Sequence, residues 1–532
     1  MVKSLPLLRG HITLEDALAD DDNMLEKIGY PSQRFDYWYE LWSQRRNVEA
    51  LVTHHLGLGK TETCRMGEPS EWISGSFNIC VPIHIYNWTR HPGKRVIIRF
   101  PLPYRIGESR HPGNADEKLR AEVATFLWIQ DNCPDVPIPR LWGFGFPGGQ
   151  SFSAPENVPN PTRLMWRLRR TILSWLGRSV PCRYVSRKSP DAPGMGYIIM
   201  EYIEETQGKM LAYSWEELRH DRDRRFNLFK NMSRILLSLA RSPLPQIGSL
   251  TLNDQGLLSL TNRPLTVKLQ QLENEGIPTN IDRDLTYSTT DAYYLDLLAY
   301  HDNRIRHQPN SVHTENDGRG QMAVLAAMRA VLPSFMSRDL RHGPFVFTLT
   351  DLQPGNIFVD EAWNIKCIID LEWACSRPIE MMHPPYWLTD RAVDQIDEAE
   401  NLEEFTSVHD EFVNIFEKEE ENFRPTMADQ MSYTHIMKRG WKIGNFWYFH
   451  ALDSPKGTFN LFLSHIQPRF GQPSLDDFER VVAPYWSVDA AEVRASKLKD
   501  EKTYKSKLRQ AFEAAPEEPT ENIERSSDGQ SS

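Results

Sequence analysis

The sequence predicts an α+β protein of two lobes, a smaller one built on a sheet and a larger one that is mainly helical. Three observations carry that expectation. Strand-like apolar runs recur over residues 79–81, 96–100, 141–144 and 197–203. From about residue 205 the apolar residues change to i, i+3, i+4 spacing, over 226–239, 292–300 and 322–332, which is the period of a helix packed on one face. Between the last of these helices and the rest of the large lobe lies FVFTLTDLQPGNIFVDEAWNIKCIIDLEW, residues 345–373.

That stretch carries the chemistry. Short apolar runs joined by polar turns read as a β-hairpin, with Asp351 and Asn356 at the mouth of one strand and Asp370 at the end of the other. Two carboxylates and an amide oxygen then face one space. A magnesium-dependent phosphoryl transferase needs that set: one carboxylate to orient an attacking hydroxyl or take its proton, and an amide and a second carboxylate to hold Mg²⁺ against the phosphates.

Asp351 and Asn356 stand in a D-x-x-x-x-N spacing, and Asp370 follows in Ile369-Asp370-Leu371-Glu372-Trp373. On these residues the chain resembles the aminoglycoside phosphotransferase family, the protein kinase-like small-molecule phosphotransferases that include relatives of choline kinase. The family's usual histidine two places before the catalytic aspartate is Leu349 here. The resemblance implies ATP and Mg²⁺ as cofactors, Asp351 as catalytic base, and Asn356 and Asp370 as metal ligands. Glu372 would be a second carboxylate behind the metal or beside the substrate.

The elements preceding this stretch are read in its light. Gly75 and Ser76 occupy a small-residue turn before the first strand, suited to laying backbone N–H groups over phosphates. Arg99 falls where kinase-like enzymes carry their phosphate-pairing lysine, with Glu122, on a helix over 117–130, as its partner. Arginine keeps the charge and changes the donor geometry; in this place it resembles a fungal-type branch of the family. Val136-Pro137-Ile138-Pro139 resembles the family's turn before the strand over 141–144. The strand over 197–203 would run into the interlobe hinge, where backbone groups at Glu201 and Ile203 would meet the adenine edge.

Residues 147–195 interrupt the small lobe. Their middle is basic (Arg163, Arg167, Arg169, Arg170, Arg178, Arg183, Arg187, Lys188), and Met165, Leu168, Ile172 and Trp175 recur at helical spacing. Two readings follow: an insertion that packs its apolar side on its own lobe, or a basic amphipathic helix for an anionic membrane surface or a partner, centred on 160–180.

The expected organisation is a helical extension over 1–59, whose aromatics at 35–39 and Trp42 pack on the next lobe. A small lobe follows over 60–204, then a helical lobe over 205–490, and a charged helix with a disordered tail over 491–532. Acidic residues over 390–422 suit either a solvated helix face or a wall for a cationic acceptor. The aromatic residues Trp441, Phe446, Trp447, Tyr448 and Phe449 suit a core.

Composition narrows the class. The chain has 532 residues, 40% hydrophobic and 25% charged, with a net charge of −11; this is a globular balance that argues against nucleic acid as a general partner. Six scattered cysteines form no C-x-x-C pair, which suits a reducing, cytoplasmic setting, and no apolar run is long enough to span a membrane. The leading expectation is an ATP-dependent phosphotransferase that acts on a hydroxyl of a small molecule. A pseudokinase or nucleotide-binding interaction module is the alternative, motivated by Leu349 and Arg99. A protein kinase ranks third, because no A-P-E motif or activation segment follows.

Overall fold

The computed structural model describes residues 3–188, 194–423 and 432–515. Strand alternation organises its small lobe. Along the strand Val96–Pro101, the side chains of Val96, Ile98 and Phe100 enter one core, while Ile97 packs against the other. Arg99 therefore points to the second side, as the two-residue period of a strand requires. The neighbouring strand Tyr197–Glu201 divides in the same way: Tyr197 and Ile199 face the first core, Ile198 and Met200 the second.

The sheet runs Thr63–Met66, Asn78–Tyr86, Val96–Pro101, Tyr197–Glu201, Leu141–Gly145, Gln150–Ser153, Val185–Lys188, antiparallel throughout, with Ile73–Ser74 paired to the second strand. Each face is covered differently. The helices Tyr30–Ser43 and Arg45–Leu56 close the outer face with Tyr37, Leu41, Val48, Leu51, Val52 and Leu56. Trp38 and Trp42 pack beside them on Trp72, whereas Phe35 and Tyr39 face solvent and do not join the lobe as the sequence suggested. The N-terminal segment also holds a short hairpin, Ser4–Pro6 with His11–Thr13, where helix alone was expected. Its Leu5 and Ile12 dock on Tyr504, Leu508 and Phe512 of the last helix, Ala490–Ala514.

The inner face is covered by the helix Asn114–Asn132. Its first turn is capped by one carboxylate: Glu108 accepts from the amides of Gly113 and Ala115, both at 2.7 Å. Gly113 sits at φ 95°, a backbone region open to glycine at little cost. This helix is buried almost throughout, because the sheet lies on one side and the large lobe on the other.

The large lobe is mainly helical, with Arg222–Ala240, Thr290–His307, Glu315–Phe335 and Ala399–Phe423 packed around Phe446, Trp447, Tyr448 and Phe449. The acidic helix Ala399–Phe423 does not open its charges to a cavity. Glu404 pairs with Arg219 and Arg391, Glu411 with Arg225, and Glu419 with Arg234. Glu420 accepts from the amides of Tyr433 and Thr434, at the start of the helix Tyr433–Ile443. Those four carboxylates hold this helix to its neighbours.

The basic insertion is the main departure. Its helix, Asn160–Trp175, keeps only Trp166 buried, and Leu164, Met165, Leu168, Ile172 and Trp175 stand in solvent. The expectation that this apolar side packs on its own lobe is corrected. The helix is anchored through a different face, by Trp166 on Val158 and Val185. The tail expected to be disordered lies, from residue 516, outside the described residues.

The two ends of the chain meet at His313. Its Nδ1 lies 2.9 Å from Glu501, on the last helix, and its Nε2 lies 3.3 Å from Asp21. The hydrogen bond to Asp21, followed by Glu501, holds the imidazolium charged and pushes its pKa up to about 9. A raised folded-state pKa means that this contribution is complete below the ordinary histidine value of about 6.5 and is lost as pH rises through 9. Thermal unfolding of the chain is therefore expected at a lower midpoint at pH 9 than at pH 6.5, with a smaller difference in His313→Gln. An equal difference in both proteins would refute the assignment.

Candidate active site

The segment over 345–373 folds as two interleaved pairings. Ile357–Val359 pairs with Ile365–Ile368, the expected hairpin. Phe345–Leu349 pairs instead with Ala374–Pro378, a strand the sequence did not announce. The crossing draws the two polar turns together. Thr350 donates from its amide (2.9 Å) and its hydroxyl (2.6 Å) to the Trp373 carbonyl, which fastens the Asp351 turn to the Asp370 turn. Asn356 Nδ2 donates to the Asp351 carbonyl at 2.8 Å and to its carboxylate at 3.2 Å. The Ile369 amide donates to the Asn356 carbonyl at 3.0 Å, and Trp387 Nε1 to the Leu352 carbonyl at 2.8 Å. Asp351, Asn356 and Asp370 are thus brought to one place by main-chain bonds. Asp370 itself adopts φ 59°, a left-handed conformation uncommon for a residue with a Cβ, and it turns the chain into the short 3₁₀ helix Leu371–Trp373.

Behind these residues lies a buried ion cluster that spans both lobes. Arg99 Nη1 donates to Glu122 at 2.7 Å. Its Nη2 donates to both oxygens of Glu372, at 2.9 and 2.7 Å, and lies 2.7 Å from Asp370 Oδ1. Lys118, 0% exposed, donates to Asn78 Oδ1 at 2.6 Å and stands 3.4 Å from Glu372 and 3.9 Å from Glu122. Asn78 completes the ring by donating to Glu372 at 2.8 Å. The sequence-predicted pair of Arg99 and Glu122 is present. Arg99 is only 4% exposed and its guanidinium is directed at three carboxylates, so it does not stand open to the cleft as a free phosphate anchor would.

The charges do not balance. Glu122, Asp351, Asp370 and Glu372 face Arg99 and Lys118, with Lys268 near Asp351, four carboxylates against three cations. Burial is the largest influence on Asp351 and, with Glu372 and Asp370 close by, pushes its pKa up to about 7. Asp370 and Glu122 are likewise raised by burial, against the pull of Arg99. Glu372 is held low: burial opposes its charge, but Arg99, Lys118 and the Asn78 amide outweigh it. It receives the most donors in the cluster and keeps the negative charge.

The arrangement fits a hard divalent cation. Asn356 uses its Nδ2 on Asp351, which leaves its oxygen to ligate a cation, and the Asp370 side chain, though paired with Arg99 through Oδ1, is 34% exposed. Among the described residues no three His, Cys, Asp or Glu side chains converge as a self-sufficient metal cage. Two oxygen ligands are what Mg²⁺ takes from a protein when phosphates and water supply the others, and a charge of two would offset the carboxylate excess.

The remaining predicted residues are placed as follows. Gly75 and Ser76 form the turn between Ile73–Ser74 and Asn78–Tyr86, where the Gly75 amide donates to the Asn78 carbonyl at 2.9 Å. Phe77 of this turn meets Trp373 edge-on, with ring centroids 5.0 Å apart, so the turn leans on the same loop as Asp370. At the hinge, the Glu201 amide already donates to the Arg140 carbonyl at 2.8 Å and its carboxylate takes Lys94 at 3.0 Å. Of the two hinge positions, Ile203 is the one beyond the hydrogen-bonded strand. Sequence reasoning missed Lys118, Asn78, Tyr386 and Lys268. The last two lie near Asp351: the Tyr386 phenol is raised by burial and then by Asp351, and Lys268 favours the Asp351 carboxylate. Lys118 had a usable signal, since it precedes Glu122 by four residues and so shares its helix face. The others had none.

The family model of the phosphotransferase enzyme family matches residues 87–381, and the chain belongs to that family. Its members are phosphotransferases that act on small molecules. Solved structures of similar fold include the aminoglycoside phosphotransferase APH(4)-Ia in ternary complex with AMP-PNP and hygromycin B, at 10% identity and a TM-score of 0.32, over 86% of this chain and 98% of that one. Plasmodium vivax ethanolamine kinase is similar at 11% identity and TM-score 0.33, over 82% and 84%. Macrolide 2'-phosphotransferase type I is similar at 11% and 0.32, over 81% and 97%. No curated protein matches the sequence.

The cluster makes a stability claim. Lys118→Met keeps the length of the side chain but leaves Glu372 and Glu122 with one cation fewer in a buried site. Removing one partner of a buried ionic group costs about 3–5 kcal/mol. Urea denaturation of Lys118→Met is expected to show a loss of that order; a loss below about 1 kcal/mol would mean the cluster is not needed to hold the lobes.

Proposed function

We propose that this chain is an ATP-dependent kinase that moves the γ-phosphoryl group to a hydroxyl of a small molecule. The single observation that carries the reading is the convergence of Asp351, Asn356 and Asp370 through main-chain bonds in front of an ion cluster with excess carboxylate. Mg²⁺-ATP, when bound, would supply the phosphoryl group and the positive charge that makes it electrophilic. Asn356 and Asp370 would hold the metal. Asp351, with its pKa near neutrality, would accept a hydrogen bond from the acceptor hydroxyl, orient it, and take its proton as the bond to phosphorus forms.

Arg99 has a different part in this reading from that of a phosphate-pairing lysine. It would act by holding Asp370 and Glu372, and through Glu122 the Asn114–Asn132 helix, in register with the Gly75–Ser76 turn. Ile203 would meet the adenine edge. The acceptor would lie on the large-lobe side, where Tyr386 and Lys268 stand near Asp351. The acceptor itself is a small molecule bearing a hydroxyl group. A module that binds nucleotide without turnover is the second reading, favoured by one observation: Arg99 already occupies an oxygen of Asp370.

The test is ATP turnover with Mg²⁺ across amino-alcohols, aminoglycosides, sugars and nucleosides, with Asp351→Asn as control. Removing a positioned base typically costs 10²–10⁴-fold. Asp351→Asn is expected to bind nucleotide as the parent does, measured by calorimetry, and to lose turnover by about 10²-fold or more. Undiminished turnover would overturn the role of Asp351; nucleotide binding that neither requires Mg²⁺ nor leads to turnover would favour the second reading.

A further inference from the structure

The helix Asn160–Trp175 and the turn after it form a surface that the phosphotransfer site does not use. Successive residues of a helix are offset by about 100°, so Leu164, Leu168, Ile172 and Trp175 lie along one stripe, which Met165 and Leu176 widen. All six are exposed, Met165 by 71% and Trp175 by 85%. The inner face of the same helix carries Trp166, its sole buried residue, which packs on Val158 and Val185. Arg170 Nε donates to the Pro181 carbonyl at 2.9 Å and fixes the helix to the segment that leads into the strand Val185–Lys188. The apolar stripe is therefore held outward by structure. A contiguous apolar stripe of this size marks an interaction site.

Charge selects the partner. Between residues 157 and 190 there is no Asp or Glu, and there are eight cations, on a chain whose net charge is −11. Arg167 and Arg169 fall on the two flanks of the stripe, and Arg178 follows it. A second copy of the chain is a poor occupant, because a symmetric contact would set this carboxylate-free segment against itself. Apolar side chains outward, arginines along both edges and a tryptophan at one end are the composition of a helix that lies in the plane of an anionic bilayer surface. At 1.5 Å per residue the 16 residues span about 24 Å, enough to lie on a bilayer and too little to cross one. No helix among the described residues is long and apolar enough to cross a membrane.

We propose that this chain docks on anionic lipid membranes through the outward face of Asn160–Trp175, with Leu164, Met165, Leu168, Ile172, Trp175 and Leu176 entering the interface and Arg167, Arg169 and Arg178 meeting the headgroups. Two signals, apolar insertion and basic charge, are what stable peripheral attachment takes. Nothing in this docking depends on the phosphotransfer reading.

The experiment is co-sedimentation of the full chain with phosphatidylcholine vesicles, with and without phosphatidylserine. The expected result is binding to the phosphatidylserine vesicles that weakens as salt is raised. Partition should fall at least tenfold in Leu168→Glu/Trp175→Glu, and also in Arg167→Glu/Arg178→Glu. All four positions are exposed, so both variants should melt as the parent does. Absence of binding by the parent, or equal binding by folded variants, would overturn the proposal. So would a dimer in light scattering that Leu168→Glu dissociates, because that would assign the stripe to a second copy.

Discussion

The buried carboxylate of Glu372 is the point on which both lobes depend. It stands two residues beyond Asp370, in the large lobe, and takes its hydrogen bonds from Arg99 and Asn78 of the small-lobe sheet. Lys118, from the inner helix, faces it across 3.4 Å. A buried carboxylate tolerates its desolvation only with such donors. Strand register, helix position and the Asp370 turn must therefore agree for the charge to be satisfied, and misplacing any one leaves it unpaired. The cluster is costly to break rather than a large net source of stability, and that property gives it its use: it sets the distance between the Gly75–Ser76 turn and the Asp351 loop.

The same cluster gives Arg99 a structural task. A lysine offers one point of charge; the guanidinium fork reaches Glu122 with one nitrogen and Glu372 and Asp370 with the other. Arg99 thereby becomes a structural tie between a helix and a loop. Lys118 supplies the second buried cation, from the helix in place of the strand. Leu349, in place of the usual histidine, ends the strand Phe345–Leu349 opposite Ala374. The loop it precedes is held instead by Thr350 on the Trp373 carbonyl and by Trp387 on the Leu352 carbonyl.

The insertion shows the opposite economy. The helical period of Asn160–Trp175 is plain in the sequence, and so is its charge, yet the period alone says only that one face differs from the other. Which face meets the protein depends on where the flanking strands Gln150–Ser153 and Val185–Lys188 pair, and on Trp166 finding Val158 and Val185. A single tryptophan, not the six-residue apolar stripe, makes the helix's buried contact.

The sequence by itself determined the two-lobed α+β architecture, the Asp351, Asn356 and Asp370 set, and the pairing of Arg99 with Glu122. The architecture rests on periodicity, which is local; Asp351, Asn356 and Asp370 and the pair of Arg99 with Glu122 rest on short spacing read through the family resemblance. Tertiary structure decided the rest. It paired Phe345–Leu349 with Ala374–Pro378, buried Lys118 against Asn78, engaged the carboxylates of Ala399–Phe423 in ion pairs, and left the apolar stripe of Asn160–Trp175 in solvent. Each of those outcomes depends on which distant groups come within hydrogen-bonding or packing distance, and a charge or an apolar face carries no record of its partner along the chain.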